Sequence, residues 1–263
     1  MASQTIEKQI SRLDIFPNHY QVLSRQRGIK RALFTALPFI PRHIYFPLLY
    51  ELKTSFRRII SFNKTSFNRH KSDQNLLVNI GCGQTGKPGW VNVDIDQFPG
   101  VNCVYDCRKC LPFTDGSVKG IFTEHFFEHL DYTEEAPYFL SHCYRVLKSG
   151  GVLRIIVPDA EKYLRAYCED GWEKLSQIRP LDSDRSDFYF GSQYNTKMEL
   201  VNVVFRQYFD HKFAYDYATL EFLLYKYGFS AVYRQDFGRS RMNELTIDQA
   251  IRASESLYVE AVK

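Results

Sequence analysis

The chain has 263 residues, 44% hydrophobic and 24% charged, enough for one large domain, with or without appendages, around a packed core. It has no apolar run of the roughly 18 residues a membrane-spanning helix needs, and six cysteines are too few for a secreted disulfide scaffold. The first 30 residues lack the apolar core of a signal peptide, so a cytosolic protein with reduced thiols is expected.

Charge is unevenly placed. Residues 1–75 hold 13 Lys and Arg against 4 Asp and Glu, a net +9, and the remainder is net −5. A basic, partly helical N-terminal extension, 1–75, is therefore expected before a mildly acidic domain, 76–263. In the extension, "RGIKRALFTALPFIPRHIYFPLLYELKTSFRR" interleaves cations with Phe, Tyr, Leu and Ile. Three readings fit it: a cap packed on the domain or on a dimer partner, a segment lying on an anionic membrane surface, or a nucleic-acid arm. Membrane contact ranks ahead of nucleic acid, because apolar content is high and the cations are scattered. The expected location is cytoplasmic, and the membrane reading would add association through residues 1–75.

From Leu76 the pattern changes. Leu76–Ile80 is a short apolar run ending at Gly81 and reads as a buried parallel strand. Trp90–Ile95, Val101–Tyr105 and Val118–Thr123 follow as strands ending near Asp94, Asp106 and Glu124–His125. Glu134–Lys148 is helical, and Ser149-Gly150-Gly151 is expected to stop it. Val152–Val157 is a fifth strand, closed by Pro158-Asp159, and Ala160–Cys168 resumes as helix. Leu181–Thr196 reads as a long loop or lid. Tyr217–Tyr227 is a helix ended by Gly228, and Phe229–Phe237 and Leu257–Val262 are the last strands. Strands alternating with helices predict an α/β fold with a doubly wound, mostly parallel sheet, whose ligands sit at the carboxyl ends of the strands.

Gly81, Gly83 and Gly86 in "NIGCGQTGKPGWVNVD" form G-x-G-x-x-G directly after a strand. Such glycines permit a tight turn and close approach of backbone to a ligand. Asp94 comes only eight residues after Gly86, too soon for a crossover helix, which needs roughly a dozen residues. A short irregular crossover is expected, and a ligand without phosphates fits it better than a dinucleotide.

"EHFFEHL" offers Glu124, His125, Glu128 and His129 as candidate proton-transfer groups, with His211 in "FDHKF" as another. His125 and His129 would share a face if the segment were helical. The alternative is that these histidines shape the pocket wall. The Glu is misplaced for the zinc motif H-E-x-x-H, and no metal is expected there. "CVYDCRKC" spaces Cys103, Cys107 and Cys110 as in iron–sulfur sites. Cys103 falls inside a strand, where a thiol behaves as a small core residue, and no cluster is expected.

Three stretches, "NIGCGQTGKPGWVNVDID", "DCRKCLPFTDGSVKGIFTEHFFEHL" and "YRVLKSGGVLRIIVPD", resemble the class I S-adenosylmethionine-dependent methyltransferases. The nearest resemblance is to a bacterial subgroup linked with cell-surface polysaccharide synthesis. "DHKFAYDYATLEFLLYKYGF" extends it, and residues 1–75 lie outside it. The resemblance implies a Rossmann-like methyltransferase fold with S-adenosyl-L-methionine as methyl donor. Gly81 and Gly83 would line its methionyl part, Asp94 would hold the ribose hydroxyls, and Asp106 with the backbone of Cys107 would face the adenine. Glu124 and His125 would lie near the reactive methyl group, and Asp159 would lie among acceptor contacts. His129, His211 and His125 are the candidate catalytic residues. The implied activity is O-methylation of a saccharide or glycolipid precursor. The alternatives are a nucleic-acid or protein methyltransferase docked by the basic arm, or a non-catalytic donor-binding protein.

Overall fold

Leu76-Leu77-Val78-Asn79-Ile80 forms β1 (Leu76–Ile80), and Val78, Asn79 and Ile80 are buried. Val78 pairs in parallel with Val91 of β2 (Val91–Asp94) and with Ile121 of β4 (Val118–Glu124). A strand flanked on both edges and packed on both faces takes a continuous apolar run rather than an alternating one. The computed structural model describes residues 72–108, 110–187, 192–207 and 210–263, with isolated positions between 44 and 70.

The sheet has seven strands in the order β3-β2-β1-β4-β5-β7-β6, completed by β3 (Cys103–Val104), β5 (Leu147–Pro158), β6 (Ala231–Gln235) and β7 (Ser256–Val262). Pairs among β1 to β5 are parallel, and β7 runs antiparallel to both β5 and β6. This is the expected doubly wound, mostly parallel sheet. Chain order reverses at the β1/β4 boundary, where such sheets leave a ligand crevice outside the carboxyl ends.

One face packs on α1 (Glu135–Val146). Its Ala136, Phe139, Leu140, Cys143 and Val146 recur at helical spacing and are buried. They join Ile121, Leu153, Ile155, Val157, Leu257 and Val259 in the main core. Burying each large side chain contributes about 1.5–3 kcal/mol. Over β4, β5 and β7 the opposite face is covered by the irregular segment after β6. Leu245 and Met242 pack there on Phe122, Val152, Ile156 and Tyr258. Fully buried Arg154 ties this cover down, pairing with Asp248 at 2.6 Å and Glu260 at 3.0 Å.

Several sequence expectations are corrected. α1 ends at Val146, and the following glycines lie inside β5 instead of capping the helix. The β4–β5 register jumps from Val118↔Leu147 to Gly120↔Val152. Gly150, at φ 72°, donates its N–H to the Lys263 carbonyl within that bulge. The third strand shrinks to two residues. The predicted helix at Ala160–Cys168 stands as α2. Two unforeseen helices, α3 (Glu173–Ile178) and α4 (Lys197–Arg206), pack with α2 around Tyr163, Leu175, Tyr194, Leu200 and Val204. α4 starts at a capping box in which Thr196 and Glu199 satisfy each other's backbone N–H groups. The expected 181–196 lid is pinned by Leu181↔Asp187 and Ser186↔Gln193 bridges, and its residues 188–191 lie outside the described residues. The last predicted helix forms as α5 (Tyr217–Lys226), with buried Leu220, Leu223 and Leu224 in the main core.

Among the described residues no helix is long and apolar enough to cross a membrane. Most of the extension, and with it the membrane and nucleic-acid readings, lies outside the described residues. Glu51 of the extension pairs with Arg108 of the domain.

Candidate functional site

At the carboxyl end of β1 the chain turns through Gly81 (φ 70°) and Gly83 (φ 48°), left-handed conformations that favour glycine. The Gly81 N–H donates to Val93 O at 2.9 Å. A Cβ on Gly81 would lie 2.7 Å from Phe126, so the loop and the turn after β4 touch. The Gly83 N–H donates to Asp94 Oδ2 at 2.9 Å, and the Asp96 N–H donates to Asp94 Oδ1 at 3.0 Å. Asp94 thus binds the glycine loop to the end of β2. The β1–β2 crossover has no helix, as expected. Asn92 holds it instead, accepting from the Lys87 N–H and donating to Lys87 O, both at 2.8 Å.

Asp106 and Cys107 follow β3, next to this loop across the sheet order. Both Asp106 oxygens accept from Arg108, at 3.0 Å from Nε and 2.9 Å from Nη2. Cys107 is buried in the main core, and burial pushes its thiol pKa well up. Cys103 is also in that core, while Cys110 Sγ contacts the Tyr105 hydroxyl at 2.6 Å. Cys103 and Cys107 are packing groups of the core, and Cys110 is partly exposed.

Glu124, at the end of β4, is buried and held by Gln249, through its N–H at 3.0 Å and Nε2 at 2.8 Å. Burial raises its pKa, and the Gln249 bonds oppose the rise. Asp159 is corrected from acceptor contact to structural cap. It is fully buried, accepts from the Lys162 N–H that opens α2, and pairs with Arg234 at 3.0 Å.

The "EHFFEHL" segment is not an α-helix. His125 is left-handed (φ 51°), and Phe127–His129 is a single 3-10 turn. The turn still gathers the predicted histidines. His125 Nδ1 lies 3.3 Å from Glu128 Oε1, and its Nε2 lies 2.9 Å from Ser256 Oγ. His211 Nε2 lies 3.8 Å from the same Glu128 oxygen, and the His129 and His211 rings meet edge to face at 4.7 Å. Burial acts to raise the Glu128 pKa, but the neighbouring imidazoles, His125 foremost, hold it down at about 2. Burial and then His211 push His129 down to about 4, and burial also lowers His211. Burial thus favours the neutral imidazole at His129 and His211, beside a buried carboxylate that stays ionised.

These three histidines line a cavity of about 150 Å³ at the carboxyl ends of β4 and β5. Val204 and Gln207 wall it from the α2–α4 cap, with Arg179, Arg252 and Glu255. Glu255 binds Arg179 and Arg252, each at 2.8 Å, and accepts the Tyr163 hydroxyl at 2.9 Å. Sequence reading missed these three charged residues: they come from loops with no motif, and the fold alone brings them together.

Residues 91–155 match the family model described as a methyltransferase domain. The match runs from β2 into β5 and takes in Asp94, Asp106, Glu124 and the histidine turn. No curated protein matches the chain. Among solved structures, an Archaeoglobus fulgidus SAM-dependent methyltransferase is 18% identical, covering 83% of this chain and 100% of that one at a TM-score of 0.44. Burkholderia thailandensis 1,6-didemethyltoxoflavin-N1-methyltransferase is 12% identical, covering 86% and 92% at 0.42. A possible exported protein of Bordetella parapertussis is 15% identical at 0.41, covering 75% of this chain, which spans 64% of that one. Likeness at this level adds nothing to the reading of the site.

Proposed function

We propose that the protein transfers a methyl group from S-adenosylmethionine to a hydroxyl oxygen of a saccharide or glycolipid precursor. The donor binds on the β1–β2 side. Gly81 and Gly83 pass its methionyl part, Asp94 takes the ribose hydroxyls, and Asp106 with the Cys107 backbone faces the adenine. Glu124 shapes the wall near the methyl group through its bond to Gln249. The acceptor enters the cavity on the β4–β5 side.

The observation that carries this reading is the gathering of His125, His129 and His211 at one cavity, one strand away from the glycine loop. A sulfonium already activates its methyl group, so the protein's main task is to hold the two reactants in line. Such positioning contributes up to about 7–11 kcal/mol. An alcohol must also lose its proton, and a placed base adds roughly 100- to 10,000-fold. The hydroxyl proton passes to an imidazole nitrogen of the cluster. The oxygen then bonds to the methyl carbon as the sulfur–carbon bond breaks, and S-adenosylhomocysteine leaves as a neutral thioether. Arg179, Arg252 and Glu255 make the cavity polar, which suits a polyhydroxyl acceptor better than an apolar one. The acceptor class itself rests on the sequence resemblance.

The basic charge of residues 1–75 brings the domain, 76–263, to an anionic membrane surface where glycolipid precursors lie. The deciding experiment supplies donor labelled in its methyl group together with fractionated cell extract. Label in the saccharide or glycolipid fraction is expected. Label in RNA or protein, or donor binding without transfer to any fraction, would overturn the reading.

A further inference from the structure

We propose that Glu128, His129 and His211 form a binding site for a divalent transition-metal ion. One nitrogen of each imidazole and one carboxylate oxygen lie within 4.8 Å of one another. Two ligands with bonds of about 2.1 Å to one ion stand at most about 4.2 Å apart. The 3.8 Å between His211 Nε2 and Glu128 Oε1 is inside that span, and the other pairs, within 4.8 Å, would have to close by no more than about 0.6 Å.

Glu128 points to an ion independently of this spacing. It is only 2% exposed, and neither carboxylate oxygen has a hydrogen bond. Its 3.3 Å approach to His125 Nδ1 lacks hydrogen-bond alignment. Buried carboxylates are paired, hydrogen-bonded or on a metal, because isolated burial costs several kcal/mol (on the order of the desolvation penalty).

The two imidazoles are set up as ligands. His129 Nδ1 lies 3.1 Å from Asp210 O, and His211 Nδ1 lies 2.6 Å from Val204 O. A carbonyl only accepts, so each Nδ1 carries the proton and each Nε2 keeps its lone pair. Backbone carbonyls commonly orient metal-binding histidines in this way. Two imidazoles and one carboxylate suit zinc, iron(II), manganese or cobalt better than calcium or magnesium. The adjoining cavity leaves coordination positions for water or an acceptor hydroxyl. With His129 and His211 on the ion, His125 remains as the imidazole for the proton. The ion would also join the turn after β4 to the chain after α4, stapling the cap to the sheet.

The inference stands on these ligands, not on methyl transfer, and is tested without activity. The full chain, stripped with a chelator, is titrated with Co²⁺ and separately with Zn²⁺. One ion per chain is expected, with visible cobalt bands, a rise in melting temperature with zinc, and two exchangeable, paramagnetically shifted imidazole N–H signals. Glu128→Gln and His129→Gln are each expected to weaken binding more than about 100-fold, beyond the loss typical of an outer-shell partner. The N–H signals need no variant, so a poorly folding substitution leaves the test intact. Absence of binding at millimolar metal, absence of those signals, unchanged affinity in folded variants, or a thiolate-to-cobalt charge-transfer band would each overturn the proposal.

Discussion

Gly81 and Gly83 are both left-handed, yet alanine should be tolerated very differently at the two positions. An L-residue in this region costs roughly 1–2 kcal/mol at either. Nothing lies within 4 Å of a Cβ built on Gly83, so Gly83→Ala should cost little more than that backbone term. At Gly81 the new Cβ would sit 2.7 Å from Phe126 Cβ and Cδ2 and 2.8 Å from Cγ. Comfortable carbon–carbon contacts are about 3.5–4.0 Å. The Phe126 ring cannot swing freely, because it packs on Phe139 at 5.5 Å. Overpacking of this kind adds about 1–3 kcal/mol. Gly81→Ala should therefore lose about 2–5 kcal/mol, and the gap between the variants should be about 1–3 kcal/mol. Urea unfolding of both variants beside the wild type measures it. In a Phe126→Ala background the contacts with Cγ and Cδ2 go but the Cβ at 2.7 Å stays, so Gly81→Ala should be rescued in part, not down to the backbone term. Equal losses at the two glycines, or no rescue in the double variant, would refute this account of the loop.

Asp94→Asn should weaken S-adenosylmethionine binding by about 1.5–3 kcal/mol, the worth of hydrogen bonds to a charged group, and calorimetry showing wild-type affinity would remove Asp94 from the donor site. Arg154→Met should destabilise by about 3–5 kcal/mol because it leaves Asp248 and Glu260 buried without their cation, and a neutral result in denaturant titration would contradict that pairing. Burial acts to raise the Glu255 pKa, but the cations beside it, Arg179 foremost, bring it below the usual 4.5. The unfolded state then binds more protons, so this contribution is full above pH 4.5 and is lost as pH falls through the lowered folded value. Glu255→Gln should lose less stability than wild type between pH 6 and pH 3 (rough bounds around that window), and an identical acid limb would refute it. Removing residues 1–75 should abolish co-sedimentation with anionic vesicles, an attraction that added salt should also weaken in the full chain, and unchanged binding after truncation would refute the membrane role.

The strands were legible because each does one thing over a short window. Val78 and Ile80, buried together on one face of a central strand, must be apolar whatever surrounds them, and Gly81 must follow because the chain turns there. The glycines at 150 and 151 show where such windows mislead. A glycine pair after a helix reads as a stop, but here the next strand starts at once and needs the same backbone freedom for a bulge. The face over β4, β5 and β7 was unreadable for a different reason. An irregular segment covers it, anchored by Arg154, and an arginine in a strand reads as an edge or surface residue unless its partners, 94 and 106 positions away, are known.

The two halves of the site differ in the same way. The proposed donor half is local: Gly81, Gly83 and Asp94 fall within fourteen residues, and the Gly83–Asp94 bond closes the unit. The proposal for it could be written from sixteen consecutive residues. The proposed acceptor half is assembled from residues near 125–129, 179, 204–211 and 252–255. The histidines there were visible as residue types, but their relation was not. The helical spacing that seemed to place His125 beside His129 is absent, and a left-handed residue and a 3-10 turn bring both rings to Glu128 instead. His211 reaches the same carboxylate only because α3 and α4, which no local pattern announced, fold the chain back over the ends of β4 and β5. A cap that walls the cavity and also brings His211 to the cluster ties the packing of the one to the geometry of the other. Displacing the cap removes His211 from Glu128 as well as opening the cavity, so its packing and the site's protonation or metal state must change together.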